Sequence, residues 1–401
     1  MCIRDRKPPS RVPEFMLPAV KDYRELARHR LARFAFDYLE GGAEDGRTLV
    51  RNLAAFQAVL FRPRALQDVA DVDAGVELFG RAHKLPVLVG PTGLNGLYWP
   101  RAEEALARAA RDAGVPFVLS TASTSLLEDV RAASDGELWL QLYVQRDRRI
   151  AENMMARAKA AGFHALMLTV DTMVHGKRDH DVRNGFRLPV SWTPRLFADV
   201  MTHPRWCLRM VRQGGSPQLV NLARSAGMSP DLRRQAAAMS RQMDMSLTWA
   251  DLDWLRRHWD GPMIIKGILD PADARAAMEH GADGVVVSNH GGRQLESAPS
   301  ALERLPAIAD AVGDRMQVFI DGGVRRGSDI AKALALGARA VLLGRAPLYG
   351  LAARGPNGAA EVLAILQAEF ETTLRLLGVR QARRLDASSL CEDHRDRLRT
   401  L

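Results

Sequence analysis

Eight short apolar runs, each followed by a stretch of helical period, constrain this chain more than any other feature. They are LPVLVGP (85–91), VPFVLST (115–121), ELWLQLYV (137–144), ALMLTVD (165–171), PMIIKGI (262–268), GVVVSNH (284–290), QVFIDGG (317–323) and AVLLGRA (340–346). Strands that are apolar along their whole length need both faces covered, which is the condition of a parallel sheet with helices packed outside it. Segments such as RAEEALARAARDAG and DPADARAAMEHGA supply the helices, being alanine-rich, amphipathic and closed by glycine. Eight such units predict an α/β protein, a (β/α)8 TIM barrel. An open doubly wound sheet is the alternative, but no G-x-G-x-x-G follows the first strand.

The rest of the chain is arranged around that barrel. Residues 16–380 are expected to form one domain, between a charged, aperiodic and disordered tail (1–15) and a C-terminal tail (381–401). DYRELARHRLARFAFDYLEGG, within 21–57, predicts an N-terminal helical cap, placed here over the barrel's lower end. The stretch 172–247 after the fourth strand is far longer than an ordinary βα loop and is expected to be a functional insertion. Cys2, Cys207 and Cys391 are widely spaced, which argues against a zinc site or disulfide framework and fits a reducing compartment. No apolar run approaches the roughly 20 residues that span a bilayer.

In barrels of this kind chemistry sits at the C-terminal strand ends. Those ends carry Thr92 and Gly93, Ser120, Gln141 and Tyr143, Thr169 and Asp171, Lys266, Ser288 and His290, Asp321 and Gly323, and Gly344 and Arg345. DGGVRRGSDI and LLGRAPLYG close the last two strands. Their glycines let backbone N–H groups approach a phosphate, and a helix starting near Ser328 adds its positive end. Tight turns alone would explain either stretch singly. Lys266 ends an apolar strand, where it could reach for water or hold negative charge developing on a flavin ring. His290 is the general-base candidate and Asp171 its natural carboxylate partner. Arg293 and Arg178 suit a substrate carboxylate, although an isolated Arg178 would more often be a solvated charge. His175, Asp179 and His180 lack metal-ligand spacing, so no metal is expected.

SNHGGRQL, DGGVRRGSDI, LLGRA, QLYV, LTVDT and FDYLEGGAEDGRTL together resemble the FMN-dependent L-2-hydroxy acid dehydrogenases and oxidases, over about residues 20–380. The resemblance implies FMN as cofactor and a 2-oxo acid as product. It implies His290 as the base supported by Asp171, Arg178 and Arg293 on the carboxylate, and Tyr38 and Tyr143 bonded to the substrate. It places Lys266 by the flavin, and Thr92, Gly93, Ser120, Gln141, Thr169 and Ser288 along the ring or ribityl chain. Asp321, Gly323, Arg325, Gly344 and Arg345 fall at the ribityl-phosphate end. Hydride and carbanion routes are both open. GPTGLNG and HPRW resemble the branch acting on (S)-mandelate, while WDGPMIIKGILDP resembles the branch acting on L-lactate. Three positions depart from the family. Glu296 replaces the usual aspartate, Ala122 a bulky aromatic of the glycolate-oxidising members, and Gly93 the alanine frequent in oxidases.

The charge adds a partner. The chain carries a formal +9, which favours an anionic surface or ligand. Residues 183–225 hold seven arginines against one aspartate, interleaved with Phe186, Trp192, Leu196, Phe197, Met201, Trp206, Leu208, Met210 and Val211. Basic residues mixed with bulky apolar ones predict an interfacial membrane segment rather than a span; an active-site lid or a subunit contact is the alternative. No nucleic-acid module accompanies the charge. The resemblance implies attachment to the cytoplasmic face of a bacterial inner membrane, a quinone acceptor and a homotetramer. A soluble oxidase releasing hydrogen peroxide is the rival within the family.

Overall fold

The computed structural model describes residues 17–184, 193–212, 215, 217–227 and 243–399. The expected tail 1–15 lies outside them, as do Phe186 and Trp192. All eight predicted strands are present: β3 (Val87–Val89), β4 (Phe117–Ser120), β5 (Leu138–Leu142), β6 (Ala165–Thr169), β7 (Met263–Ile268), β8 (Gly284–Val287), β9 (Gln317–Asp321) and β10 (Ala340–Leu343). They pair in parallel in the order β10-β3-β4-β5-β6-β7-β8-β9, a closed barrel, with Leu342 opposite Leu88 at the closing seam. Alternation along each strand explains why the runs are apolar throughout. Leu88, Val118, Trp139, Met167, Ile264 and Phe319 fill the barrel interior, and the residues between them, such as Val89, Leu119, Leu140 and Ile265, meet the helices.

A hairpin not foreseen from the sequence closes the lower end. Its strands β1 (Val76–Leu78) and β2 (Arg81–His83) pair antiparallel. The turn puts both Phe79 (φ 49°) and Gly80 (φ 78°) in the left-handed region, the backbone of a tight two-residue hairpin. A phenylalanine there is strained. Its ring packs 5.7 Å from Trp139 and 5.9 Å from Phe319, so burial beneath the barrel offsets the strain. Leu78 beside it is fully buried.

The N-terminal helices therefore do not cover the lower end, which corrects the expectation above. Helices Arg33–Glu40 and Arg47–Ala58 flank a turn at the upper mouth. There the Gly41 carbonyl accepts hydrogen bonds from Arg293 and Arg345, each at 2.8 Å. Helical periodicity reports which face of a helix is buried, not which end of a barrel it meets. The insertion clamps the same segment. Asp199 in helix Pro194–Met201 accepts from the backbone N–H groups of Arg33 and Phe34 at 3.1 and 3.2 Å. Trp206 in helix Pro204–Arg212 packs edge-on against Phe34. The C-terminal stretch also packs on the body: Phe61 bridges Leu390 and Asp73 bridges Gln381, and Leu385, Leu390 and Leu398 are buried.

Truncating the hairpin plug has a defined cost. Leu78→Ala should lower the unfolding free energy by about 3 kcal/mol, read from urea denaturation, and leave the visible spectrum of the loaded protein unchanged. A shift in that spectrum would place the plug in contact with the upper mouth.

Candidate active site

A cavity opens at the upper mouth, about 1100 Å3 of space with its opening to solvent included. Its walls include Tyr38, Thr92, Gly93, Ser120, Tyr143, Arg178, Lys266, His290, Arg293, Asp321, Gly323, Arg325, Gly344 and Arg345, so one cavity gathers fourteen of the residues picked from strand ends and resemblance. Asp171, Gln141, Thr169 and Ser288 stand just behind that surface.

His290 follows β8 with φ 58°, an uncommon backbone for an imidazole-bearing residue. Its backbone N–H donates to Ser288 Oγ at 2.9 Å. Its Nδ1 lies 2.9 Å from Asp171 Oδ1 and 3.3 Å from Thr172 Oγ1. With Nδ1 turned to the carboxylate, Nε2 is on the opposite edge of a ring that lines the cavity. Burial opposes the charge on Asp171, but His290 and Lys266 beside it outweigh burial and pull its carboxyl down to about 2. The carboxylate is thus ionised at neutral pH and suited to stabilise an imidazolium.

Lys266 is the second buried charge. Its Nζ donates to Ser288 Oγ at 3.0 Å and pairs with Asp321 Oδ2 at 3.0 Å. Burial works against the ammonium, yet Asp321 and Asp171 hold its pKa above the ordinary lysine value. Beneath it a chain of polar groups crosses three strands. Ser120 Oγ donates to Gln141 Oε1 at 2.9 Å, and Gln141 Nε2 donates to Thr169 Oγ1 at 3.0 Å. Gln141 and Thr169 therefore orient Ser120, which reaches the wall.

Two guanidiniums meet at Tyr38. Arg293 lies 5.1 Å and Arg178 5.5 Å from its ring centroid. Asp181 is 3.9 Å from Arg178, and burial raises its carboxyl pKa. The Arg178 Nε is buried without a partner. Burial, and next to it the charge of Arg178, lowers the Arg293 pKa. Two crowded cations with a spare donor form a receptor for a carboxylate. Tyr143 adds a hydroxyl whose pKa burial and Asp171 push up to about 12, so it stays a donor.

The opposite side suits a phosphate ester. Gly322 and Gly323 adopt φ 86° and 95°, and a Cβ on Gly323 would lie 2.4 Å from the Asn52 carbonyl oxygen. Helix Gly327–Ala335 begins just beyond. Arg345 on the same wall also donates to the carbonyls of Leu39, Gly291 and Gly41, stitching the N-terminal turn to the His290 loop. Burial, then Arg293, lowers its pKa to about 10.

Strand-end reading missed Tyr98, Leu39, Thr172 and His175 on the wall. Tyr98 is buried in the loop after β3, two residues past the GPTGLNG stretch quoted for its resemblance. Burial lowers the His175 pKa, with Arg178 and His290 adding to the effect; among the described residues no cluster could hold a metal ion. Of the departures, Glu296 accepts from Arg47 N–H at 2.6 Å and caps helix Arg47–Ala58. A methyl on Gly93 would sit 2.9 Å from the Ala122 Cβ, so those two positions share one space.

A family model described as FMN-dependent dehydrogenase matches residues 27–392. The chain is 49% identical over 359 residues to (S)-mandelate dehydrogenase of Pseudomonas putida, covering 90% of each chain. It is 45% identical over 377 residues to L-lactate dehydrogenase of Caulobacter vibrioides, covering 94% of this chain and 98% of that one. A crystal structure of the monotopic membrane protein (S)-mandelate dehydrogenase superposes with a TM-score of 0.90 at 48% identity, covering 94% of this chain and 99% of that one.

The Asp171 carboxyl ties the site to stability. Its folded pKa is depressed, so its contribution is complete above the unfolded value near 3.8 and is lost as pH falls through about 2. The stability gap between wild type and Asp171→Asn should therefore shrink by roughly 2 kcal/mol from pH 5 to pH 2, followed by urea midpoints. A constant gap would mean that the carboxylate is not held by His290 and Lys266.

Proposed function

The chain belongs to the FMN-dependent dehydrogenase family, and from that premise we propose that it oxidises an L-2-hydroxy acid, foremost (S)-mandelate, to the 2-oxo acid. The observation that carries the reading is the juxtaposition, in one cavity, of His290 backed by Asp171 with the Arg178–Arg293 pair. A 2-hydroxy acid needs both: a cationic grip on its carboxylate and a base within reach of its hydroxyl-bearing carbon.

Cofactor fit rests on the cavity itself. Lys266, Ser120, Thr92 and Gly93 would hold the flat ring, and Gly323, Arg325 and Gly344 the ribityl phosphate. The unpartnered Asp321 Oδ1 is an acceptor for a ribityl hydroxyl. FMN bound there supplies a two-electron acceptor. The protein's own part is to position and to move a proton. Arg178 and Arg293 hold the carboxylate by paired bonds, and Tyr38 and Tyr143 orient the hydroxyl. His290 Nε2 takes a proton from the substrate, and Asp171 stabilises the resulting imidazolium.

Mandelate is favoured by the small Ala122 on the wall, which leaves room for a phenyl ring, and by the GPTGLNG and HPRW stretches. L-Lactate is the second reading, supported by the 45% identity to a lactate dehydrogenase. For the acceptor, we place the enzyme on the cytoplasmic face of a bacterial inner membrane, as a homotetramer passing electrons to a quinone. Phe197, Met201, Leu208 and Val211 are exposed on the insertion helices, which supports shallow attachment. No described helix is long and apolar enough to cross a membrane.

Mixing the purified holoprotein without air with each acid distinguishes the substrates. (S)-Mandelate should bleach the flavin band at least tenfold faster than L-lactate. The reverse order would keep the reaction and replace the substrate; rapid peroxide release in air would make the protein an oxidase.

A further inference from the structure

A second cavity opens on the far side of the Leu97–Tyr98 segment, between the first helix and the insertion. It spans about 660 Å3, its opening to solvent included, and is lined by His29, Arg30, His203, Arg205, Trp206 and Arg209, among others. Three guanidiniums sit on its walls. Arg205 and Arg209 share one face of helix Pro204–Arg212, one turn apart. Arg30 ends helix Val20–Arg30 and donates to the Ala353 carbonyl.

Among the described residues no carboxylate pairs with Arg205 or Arg209. Asp199 caps the helix at Arg33 and Phe34 and lies 3.7 Å from His203 Nδ1. Arg354, close by, is engaged with Glu361 at 3.1 Å. Arg209 has its guanidinium carbon 4.4 Å from the centroid of the Trp99 ring. Its Nε is buried with no partner. Burial and the charges of Arg30 and Arg205 lower its pKa. A guanidinium set over an indole and crowded by two others is costly unless an anion joins it. The first turn of helix Pro204–Arg212 adds its positive end to the same cleft.

We infer that this cleft binds a phosphate group through Arg205 and Arg209, with Arg30 and His203 at its rim. The favoured source is the headgroup of an anionic phospholipid, because exposed Phe197, Met201, Leu208 and Val211 lie on the same two helices. For that source the inference deepens the attachment reading and rests on it; a soluble phosphate ester is the other source. In either case the ligand bridges the insertion to the first helix. It would press on Trp206, which donates to the Leu97 carbonyl at 2.9 Å, next to Tyr98 of the active cavity.

The test uses FMN-loaded protein, so that the flavin phosphate site is filled. Arg205→Lys/Arg209→Lys keeps the net charge but removes the planar fork; Arg205→Gln/Arg209→Gln removes both. Flavin content and circular dichroism check folding. Phosphatidylglycerol–phosphatidylcholine vesicles should bind the lysine double variant at least fivefold more weakly than wild type. Glycerol 3-phosphate should raise the melting temperature of wild type but not of the glutamine variant. The second result without the first assigns the site to a soluble phosphate ester. Vesicle binding unchanged in the lysine variant, together with no glycerol 3-phosphate shift in wild type, would overturn the site. It would leave untouched an active cavity that still turns over its acid.

Discussion

β10 lies against β3, and everything else at the mouth depends on that closing pair. Leu342 opposite Leu88, with flanking contacts from Val341 to Val87 and Leu343 to Val89, turns eight separate strand ends into a ring. Only in a ring do residues as far apart in sequence as Thr92, Tyr143, Lys266, His290 and Arg345 face one space. The interior must be filled for the ring to hold. Trp139, Phe319 and the hairpin residue Phe79 fill it from below, leaving the top free for charge.

Concentrating charge at that end is expensive, and the arrangement limits the cost by pairing. Lys266 is shared between Asp321 and Ser288, and Asp171 between His290 and Thr172. Arg345 gives three donors to carbonyls of the loops it joins. The Arg178–Arg293 pair is left short of negative charge, with Asp181 3.9 Å from Arg178. In the proposed reaction that shortfall is the specificity: a carboxylate completes it, and a neutral alcohol does not.

Much of this was legible in the sequence, because the signals were local. An apolar run ending in Ser-Asn-His-Gly-Gly or Asp-Gly-Gly reports both the strand and the group at its end. What was not legible is relational. The pattern of 21–57 reports helices, but their place at the mouth depends on Gly41 meeting Arg293 and Arg345, far away in the chain. The hairpin at Phe79 has strands of three residues, too short for periodicity to register. Tyr98 reaches the cavity from a loop after β3, not from a strand end. The ties of Arg345 to the carbonyls of Leu39, Gly291 and Gly41 cannot be read from its motif, nor can the helix that Glu296 caps.

The central claim is that His290 moves the proton while other residues hold the cofactor. Anaerobic mixing of the His290→Ala variant with its acid substrate tests that claim most directly. The account predicts a yellow protein with full flavin content, reduced normally by dithionite, whose flavin is bleached by the acid at least about 10³-fold more slowly than in wild type. Bleaching within tenfold of the wild-type rate would contradict it and move the base to another residue of the cavity.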